Sequence, residues 1–331
     1  MSQLYDARGN IYAVCTPQVL RELGIAIADD PADAALSRSE WASAAVRALC
    51  SWPEGARPTG AKAHRSDGLL IGPFEEQGPF DLLIVNTDGT LAERSGNGMT
   101  IFSQFLTDYA YVGTEGFELR VHHDNHNTAS PVTTQVEPTR IDGDSGFWLA
   151  LGNPTFGPQA VGAFSASLEP VLLNEHAASQ VNPLTRINPR WSHSVFVRIG
   201  NPHCVTLIND PADLPAFEAL HEQELNAALT RIAFAKGELG AGEPCPAGVN
   251  LQWAWVQSAS QVVARVFERG EGPTASSGTS ASAVASAAWH AGLVDAGLIQ
   301  VSMPGGTAPV RLEDRDGALR VSLFGVAKVA G

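Results

Sequence analysis

The chain has 331 residues, 44% hydrophobic and 17% charged, a length that exceeds one ordinary core and fits two domains of about 150 residues each. With 21 Lys and Arg against 35 Asp and Glu the formal charge is −14, which argues against the basic face that nucleic-acid binding normally needs. No apolar run reaches the roughly 18 residues that would span a bilayer, and the N-terminus MSQLYDARGN lacks the charged-then-apolar order of a signal peptide, so the sequence reads as a cytoplasmic protein that does not bind membranes.

In chain order, strands are predicted over 10–15, 68–72, 81–86 and 117–123. Ser39 as cap, with Trp41, Ala45 and Leu49 on one face, predicts a helix over 39–50. A second helix is predicted to start after Ser95 and to run to about Tyr109. The segment 124–146 is turn-rich at both ends and alternates around Val132–Val136, which predicts a hairpin near a domain boundary. Further strands are predicted over 147–152, 194–200, 204–208, 249–256 and 261–268, with a helix over 215–232. A helix of small residues follows Ser277. Turns at Pro304-Gly305-Gly306 and Asp316-Gly317 separate three closing strands over 298–303, 308–314 and 319–325.

Two short segments repeat. Ser95-Gly96-Asn97-Gly98 and Ser277-Gly278-Thr279-Ser280 lie 182 positions apart, each between a strand region and an apolar helix. This predicts two related halves with equivalent helix N-termini, at 1–142 (completed by 319–331) and 143–318. Free backbone N–H groups and the helix dipole make each such end an anion site. If the halves face each other, a carboxylate between them would take hydrogen bonds from both. None of Cys15, Cys50, Cys204 and Cys245 forms a CxxC pair, and their spacing suggests neither a metal site nor a disulfide framework.

The motifs together resemble the diaminopimelate epimerase family, over nearly the whole chain and in order. Gly9-Asn10-Ile11-Tyr12 is similar to the family's Gly-Asn-Asp-Phe, Asp67-Gly68 to Ala-Asp-Gly, and Asn86-Thr87-Asp88-Gly89 to Asn-Ala-Asp-Gly. Gly96-Asn97-Gly98 and Gly200-Asn201-Pro202-His203 match unaltered. Pro246-Ala247-Gly248-Val249-Asn250 is similar to Pro-Glu-Gly-Val-Asn, and Glu268-Arg269-Gly270 with Gly278-Thr279 matches the last motif. The resemblance implies an α/β (α+β) fold of two pseudo-symmetric domains, each a curved, mostly antiparallel sheet around a central helix, with the active-site cleft between them. It implies an isomerase that acts at an amino-acid α-carbon without a cofactor or metal, and commonly a homodimer.

In that family two cysteines, one before each glycine motif, move the α-proton. Here Ser95 and Ser277 stand at both positions. The surroundings differ too: Met99-Thr100-Ile101 stands for Ala-Arg-Cys, and Ser280 for a glycine. A thiol titrates near 8.5 and falls by several units at a helix N-terminus. A serine hydroxyl is weaker by several units, each about 1.4 kcal/mol, and a dipole worth about 0.3–2 kcal/mol does not close that gap. An activated serine needs an adjacent base, and His203 and Glu268 are the candidates. Family members of the phenazine-pathway type, which use carboxylate and imidazole groups, show that such a scaffold works without the thiols.

The predicted site therefore comprises Ser95, Ser277, His203 and Glu268 as catalytic candidates. Asn10, Asn86, Gly96, Asn97, Asn201, Asn250, Arg269, Gly278 and Thr279 are the predicted substrate-binding residues. The resemblance implies that the asparagines hold polar groups of an amino-acid-like small molecule and that Arg269 holds its distal carboxylate. Plainer readings exist for each: serine is a good N-cap, asparagine suits turns, and Glu268 could pair with Arg269. The 122-HHDNH-126 cluster reads as a solvated turn, since neighbouring strand residues point to opposite faces, and Cys204 as core. The Gly-rich 268–280 lacks the pattern of a phosphate loop. Two function classes remain at this point: an isomerase that does not use two thiols, or a catalytically inactive relative or Cys-to-Ser variant that binds an amino acid.

Overall fold

In a computed structural model, residues 2–126, 128–141 and 143–330 are described. The chain forms two compact units, Met1–Ala150 with Gly325–Gly331, and Leu151–Phe324. Both cuts fall inside strands, one within Asp144–Gly152 and one within Ala318–Gly325.

The first unit contains β1 (Ser2–Ala7), β2 (Asn10–Cys15), helices α1 (Pro17–Glu22), α2 (Pro31–Leu36) and α3 (Arg38–Cys50), then β3 (Gly68–Ile71), β4 (Phe80–Asn86), α4 (Gly96–Asp108), β5 (Phe117–His122), β6 (Val132–Ile141) and β7 (Asp144–Gly152). The turn from β1 to β2 uses Arg8 and Gly9, both at positive φ, the left-handed pair that matches the twist of a two-residue hairpin. β1 pairs antiparallel with β2, β2 parallel with β3, β3 antiparallel with β4, and β4 parallel with β5. The antiparallel β5–β6 and β6–β7 pairs follow. Parallel neighbours need a crossover; α1–α3 supply the first and α4 the second. α3 packs Trp41, Ala45 and Leu49 into one cluster with Leu69, Ile71, Leu83 and Val85, as its periodicity predicts.

α4 is buried on nearly every side, with Met99, Ile101, Phe102, Phe105 and Leu106 inside, each such side chain worth about 1.5–3 kcal/mol. The last residues close this unit: Val329 pairs with Tyr5 on β1, and Gly325 lies so near α4 that a methyl group on it would sit 2.0 Å from Thr100 Oγ1.

The second unit adds β8 (Thr155–Phe156), α5 (Pro158–Val161), β9 (Leu168–Leu173), β10 (His176–Val181) and α6 (Asn182–Ile187). Next come β11 (Ser194–Ile199), β12 (Asn201–Ile208), α7 (Gln223–Ala233), β13 (Asn250–Ser258), β14 (Gln261–Glu268), β15 (Gly272–Thr274), α8 (Gly278–His290), β16 (Gly297–Met303), β17 (Gly306–Arg315) and β18 (Ala318–Gly325). Here β11–β12 is antiparallel, β12–β13 parallel, β13–β14 antiparallel, β14–β16 parallel, and β16–β17 and β17–β18 antiparallel. That is the first unit's sequence of pairings, with α7 and α8 at the two crossovers. The domains are thus pseudo-symmetric, each a mixed sheet with a central helix.

Some elements differ from expectation. The helix predicted over 215–232 is shorter: a 3-10 turn at Ala219–His221 precedes α7, because the only apolar side chains it buries lie at its end, Leu229, Ile232 and Ala233. The strand predicted from 204 starts at Asn201, so the Gly-Asn-Pro-His motif is mostly strand. Positions 122–123 are not a solvated turn. His122 and His123 are both buried, His122 bonded through Nε2 to Asp81 Oδ1 at 2.6 Å and His123 to the Ala129 carbonyl at 3.0 Å.

Candidate active site

Each central helix starts on a serine. Ser95 has φ −143° and ψ 119°, and its Oγ accepts from the Gly98 N–H at 3.0 Å. Ser277 has φ −146° and ψ 121°, and its Oγ accepts from the Ser280 N–H at 3.4 Å. These are N-caps of one geometry. Each cap satisfies the third N–H, which leaves those of Gly96 and Asn97, and of Gly278 and Thr279, outside both helix and cap. Such a pair of N–H groups on a positive helix end suits a carboxylate.

Around the caps the units diverge. Glu268 and Asn86 are equivalent: each ends the long strand that precedes its central helix, nine positions before the serine, with only the three-residue β15 between Glu268 and α8. The Glu268 carboxyl is pushed above the ordinary range by burial, and the neighbouring hydroxyls of Ser277 and Thr274 oppose the shift. Asn86 carries no titratable group, and its Nδ2 donates to Thr90 Oγ1 at 2.9 Å inside a turn. In the same turn, burial raises the Asp88 pKa, but hydrogen bonds from Thr90 outweigh it and hold the carboxyl below its usual range.

His203 and Tyr12 are equivalent as well, facing Asn250 and Gly68 in their parallel pairs. His203 is completely buried. Its Nδ1 lies 3.0 Å from Gln252 Nε2, which also donates to Ser280 Oγ at 3.1 Å. Burial first, then the charge of Arg269, lowers the imidazole pKa to about 3, against the hydrogen bond from Gln252. The ring is therefore neutral near pH 7. In the first unit the same layer is Tyr12, Leu70 and Gly98, with Leu70 Cδ2 3.4 Å from where a Gly98 methyl would be. Helix α8 thus rests on a polar layer where α4 rests on a largely apolar one.

The remaining predicted residues are placed as follows. Asn250 is buried and its Oδ1 accepts from the Arg269 backbone N–H at 2.8 Å, which ties the start of β13 to the end of β14. Arg269 donates from its guanidinium to the Ala247 carbonyl at 3.0 Å. Its side chain lines a groove with Phe234, Leu239 and Ala247. Gly248, at φ +76°, makes room for it: a methyl there would meet Arg269 Cδ at 2.7 Å and the Ala233 carbonyl at 2.6 Å. Asn10 opens β2 and Asn201 opens β12. No hydrogen bond among the described residues joins Asn10, Asn86 and Ser95 to one another.

The second unit therefore gathers His203, Asn250, Glu268, Arg269 and Ser277 around the start of α8, together with Thr274, which belongs to the last motif but is not among the predicted site residues, and Gln252, which the motifs do not single out. Gln252 has a visible signal: a glutamine inside the apolar strand 249–256, 182 positions after Leu70. The four cysteines are buried far from thiolate chemistry. Burial pushes Cys15 and Cys245 up to about 12 and raises Cys50 and Cys204 as well. Among the described residues no group of three His, Cys, Asp or Glu is arranged to hold a metal ion, and no helix is long and apolar enough to cross a membrane.

Residues 195–329 match the family model described as diaminopimelate epimerase, a stretch that includes all seven of those side chains. Over 255 residues, 75% of each chain, the protein is 30% identical to diaminopimelate epimerase 2 of Nostoc sp.. Among solved structures it is similar to a phenazine biosynthesis protein of the PhzF family from Bacillus anthracis, with a TM-score of 0.58 and 10% identity over 100% of this chain and 96% of that one. It is also similar to a hydroxyproline epimerase from Agrobacterium vitis, with a TM-score of 0.55 and 13% identity over 100% and 90%. At these identities the structural matches speak to the fold.

Proposed function

Because the chain belongs to the diaminopimelate epimerase family of PLP-independent racemases and epimerases, we propose that it is an isomerase of an amino-acid-like substrate whose proton is moved by Glu268 and not by a pair of thiols. The observation that carries this reading is the Glu268 carboxyl, whose pKa is raised by burial, beside the Ser277 hydroxyl at the start of α8. A carboxylate with a raised pKa is a better base than an ordinary one, and its protonated form is the acid that gives the proton back. Ser277 is too weak an acid to replace a thiolate, but its hydroxyl favours the ionised form of the carboxyl beside it.

On this reading the substrate carboxylate lies against the free N–H groups of Gly278 and Thr279, where negative charge that develops on proton removal is stabilised by donors already in place. Glu268 takes the proton from the adjacent carbon and returns it, either to the other face or to a neighbouring atom. Arg269 and Asn250 hold polar groups of the substrate. In the first unit Ser95, Gly96 and Asn97 form an equivalent anion-binding helix end. With Asn86 in place of a carboxylate, that end binds and does not move protons. The homodimer and the cytoplasmic location implied by the family belong to the same proposal, and sedimentation of the purified protein tests the first of them.

The experiment is incubation in D₂O with diaminopimelate and with basic and acidic amino acids, read by mass spectrometry and NMR. Deuterium at the α-carbon with native protein, and none with Glu268→Gln, is the expected result. Calorimetric binding of an amino acid without exchange would instead identify a catalytically inactive relative, the reading that replacement of both family thiols favours. In that case Ser95→Cys combined with Ser277→Cys is the variant in which exchange should appear.

A further inference from the structure

We infer that Gln252 is a positioning residue that fixes His203 as the neutral tautomer with its proton on Nε2, so that His203 meets the substrate as a hydrogen-bond donor and not as a base. The inference deepens the isomerase reading and rests on it for the identity of the acceptor, a substrate oxygen that gains charge when Glu268 removes the proton.

The geometry fixes the direction of the bonds. Gln252 Nε2 lies within hydrogen-bond distance of two atoms, His203 Nδ1 at 3.0 Å and Ser280 Oγ at 3.1 Å. An amide nitrogen has two protons, and this orientation uses both and leaves one acceptor, Oε1, without a partner. The reversed amide would satisfy Oε1 twice and strand two buried N–H donors, which is the worse outcome. A nitrogen that receives a proton from Gln252 carries none of its own. The neutral ring therefore bears its proton on Nε2, and that atom is buried with no hydrogen-bond partner. A wholly buried donor left open beneath the first turn of α8 is a donor kept for something absent from the free protein.

The comparison between units supports the assignment. Where the first unit has Leu70 and Gly98, this one has Gln252 and Ser280, and the two replacements are bonded to each other, with Gln252 bonded to His203 as well. Isolated drift would leave single buried polar groups, not a connected set. A ring held neutral by burial and by the neighbouring Arg269 and Arg198 charges is a poor acid–base group near pH 7 but a constant donor.

The test is long-range ¹H–¹⁵N spectroscopy of ligand-free protein labelled at histidine, with His203→Gln used to assign the signal. The expected native spectrum shows an unprotonated Nδ1 and a protonated Nε2, unchanged between pH 5 and 8. Gln252→Glu, which keeps the shape but offers only an acceptor, should move the proton to Nδ1 or charge the ring. Gln252→Asn, too short to reach, should give a mixture of tautomers. A native Nδ1–H, or the native pattern retained in Gln252→Glu, would overturn the assignment. These spectra need no substrate, so they separate failure of the tautomer from failure of the isomerase reading. With an exchanging substrate, Gln252→Glu should lower kcat at least tenfold with KM nearly unchanged, since the interaction lost is one made as charge develops.

Discussion

The hydroxyl of Ser277 lies beside the carboxyl of Glu268 and favours its ionised form, while at the equivalent place in the first unit Ser95 has Asn86 nine positions before it and Asn86 is turned to Thr90. One helix cap is thus tied to a titratable group and the other is not, although their backbone angles agree within a few degrees.

Ser95→Ala and Ser277→Ala should therefore agree in stability and differ in pH dependence. Each removes an N-cap and should cost about 1 kcal/mol in chemical denaturation. Only Ser277→Ala removes a hydroxyl that favours the ionised form of Glu268. Its pKa then rises further, and the acid limb of the α-exchange rate should move to higher pH. Equal pH profiles for the two variants would show that Ser277 only caps.

The acid limb belongs to Glu268, whose raised pKa makes base activity grow with pH above the ordinary carboxylate range. It should be absent from Glu268→Gln and retained, at lower amplitude, in His203→Gln. Loss of the limb in the histidine variant alone would transfer the base role to His203.

Stability should also respond to His203. Its folded pKa, near 3, lies below the unfolded value of about 6.5. Between those values the unfolded chain binds the extra proton, so stability falls as pH drops below about 6.5 and stops falling near pH 3. Denaturant midpoints measured across this window should show the slope in the native protein and a smaller one in His203→Gln.

Thiol reagents should leave exchange intact. With all four thiols buried and raised, the native protein should react slowly with a disulfide reagent and keep its activity, and four thiols should titrate after unfolding. Inactivation that matched the labelling of one cysteine would point back to thiol chemistry.

A structural cluster gives the last prediction. Asp81, buried on β4, accepts from Arg120 at 2.5 Å and pairs with His122 at 2.6 Å. Burial raises its pKa, but these two partners outweigh burial and the net shift is downward. Its stabilising effect is present above the unfolded carboxylate pKa and is lost as pH falls through the lower folded value. Asp81→Asn should cost about 2 kcal/mol near pH 7 and progressively less in acid, with α-exchange unchanged in the folded fraction.

Much of this architecture can be read from the residues. The repeat around Ser95 and Ser277 points to two halves because a helix N-terminus has a local signature, a cap followed by small residues and an apolar face. The strand pairings repeat as that signature implies. Elements without an apolar period were not visible: β9 and β10 alternate poorly, and α1, α2 and α6 are six residues each. His122 and His123 look solvent-facing in a polar run, but their partners, Asp81 and the Ala129 carbonyl, are supplied by tertiary contacts. In the site, motif residues could be named but not ranked. Glu268 differs from Asn86, and His203 from an ordinary base, because of burial and of Gln252, Thr274 and Ser280 around them.

The closure of the first unit has a consequence for how the chain acquires its shape. Lys328 and Val329 pair with β1 and Gly325 abuts α4, so this unit is complete only when β1 meets a segment more than 300 residues further on, whereas the second is one continuous stretch. Contacts that distant in sequence form late. During synthesis the later-made half can finish first, and the earlier-made half must wait, with β1 open along one edge, for its closing segment.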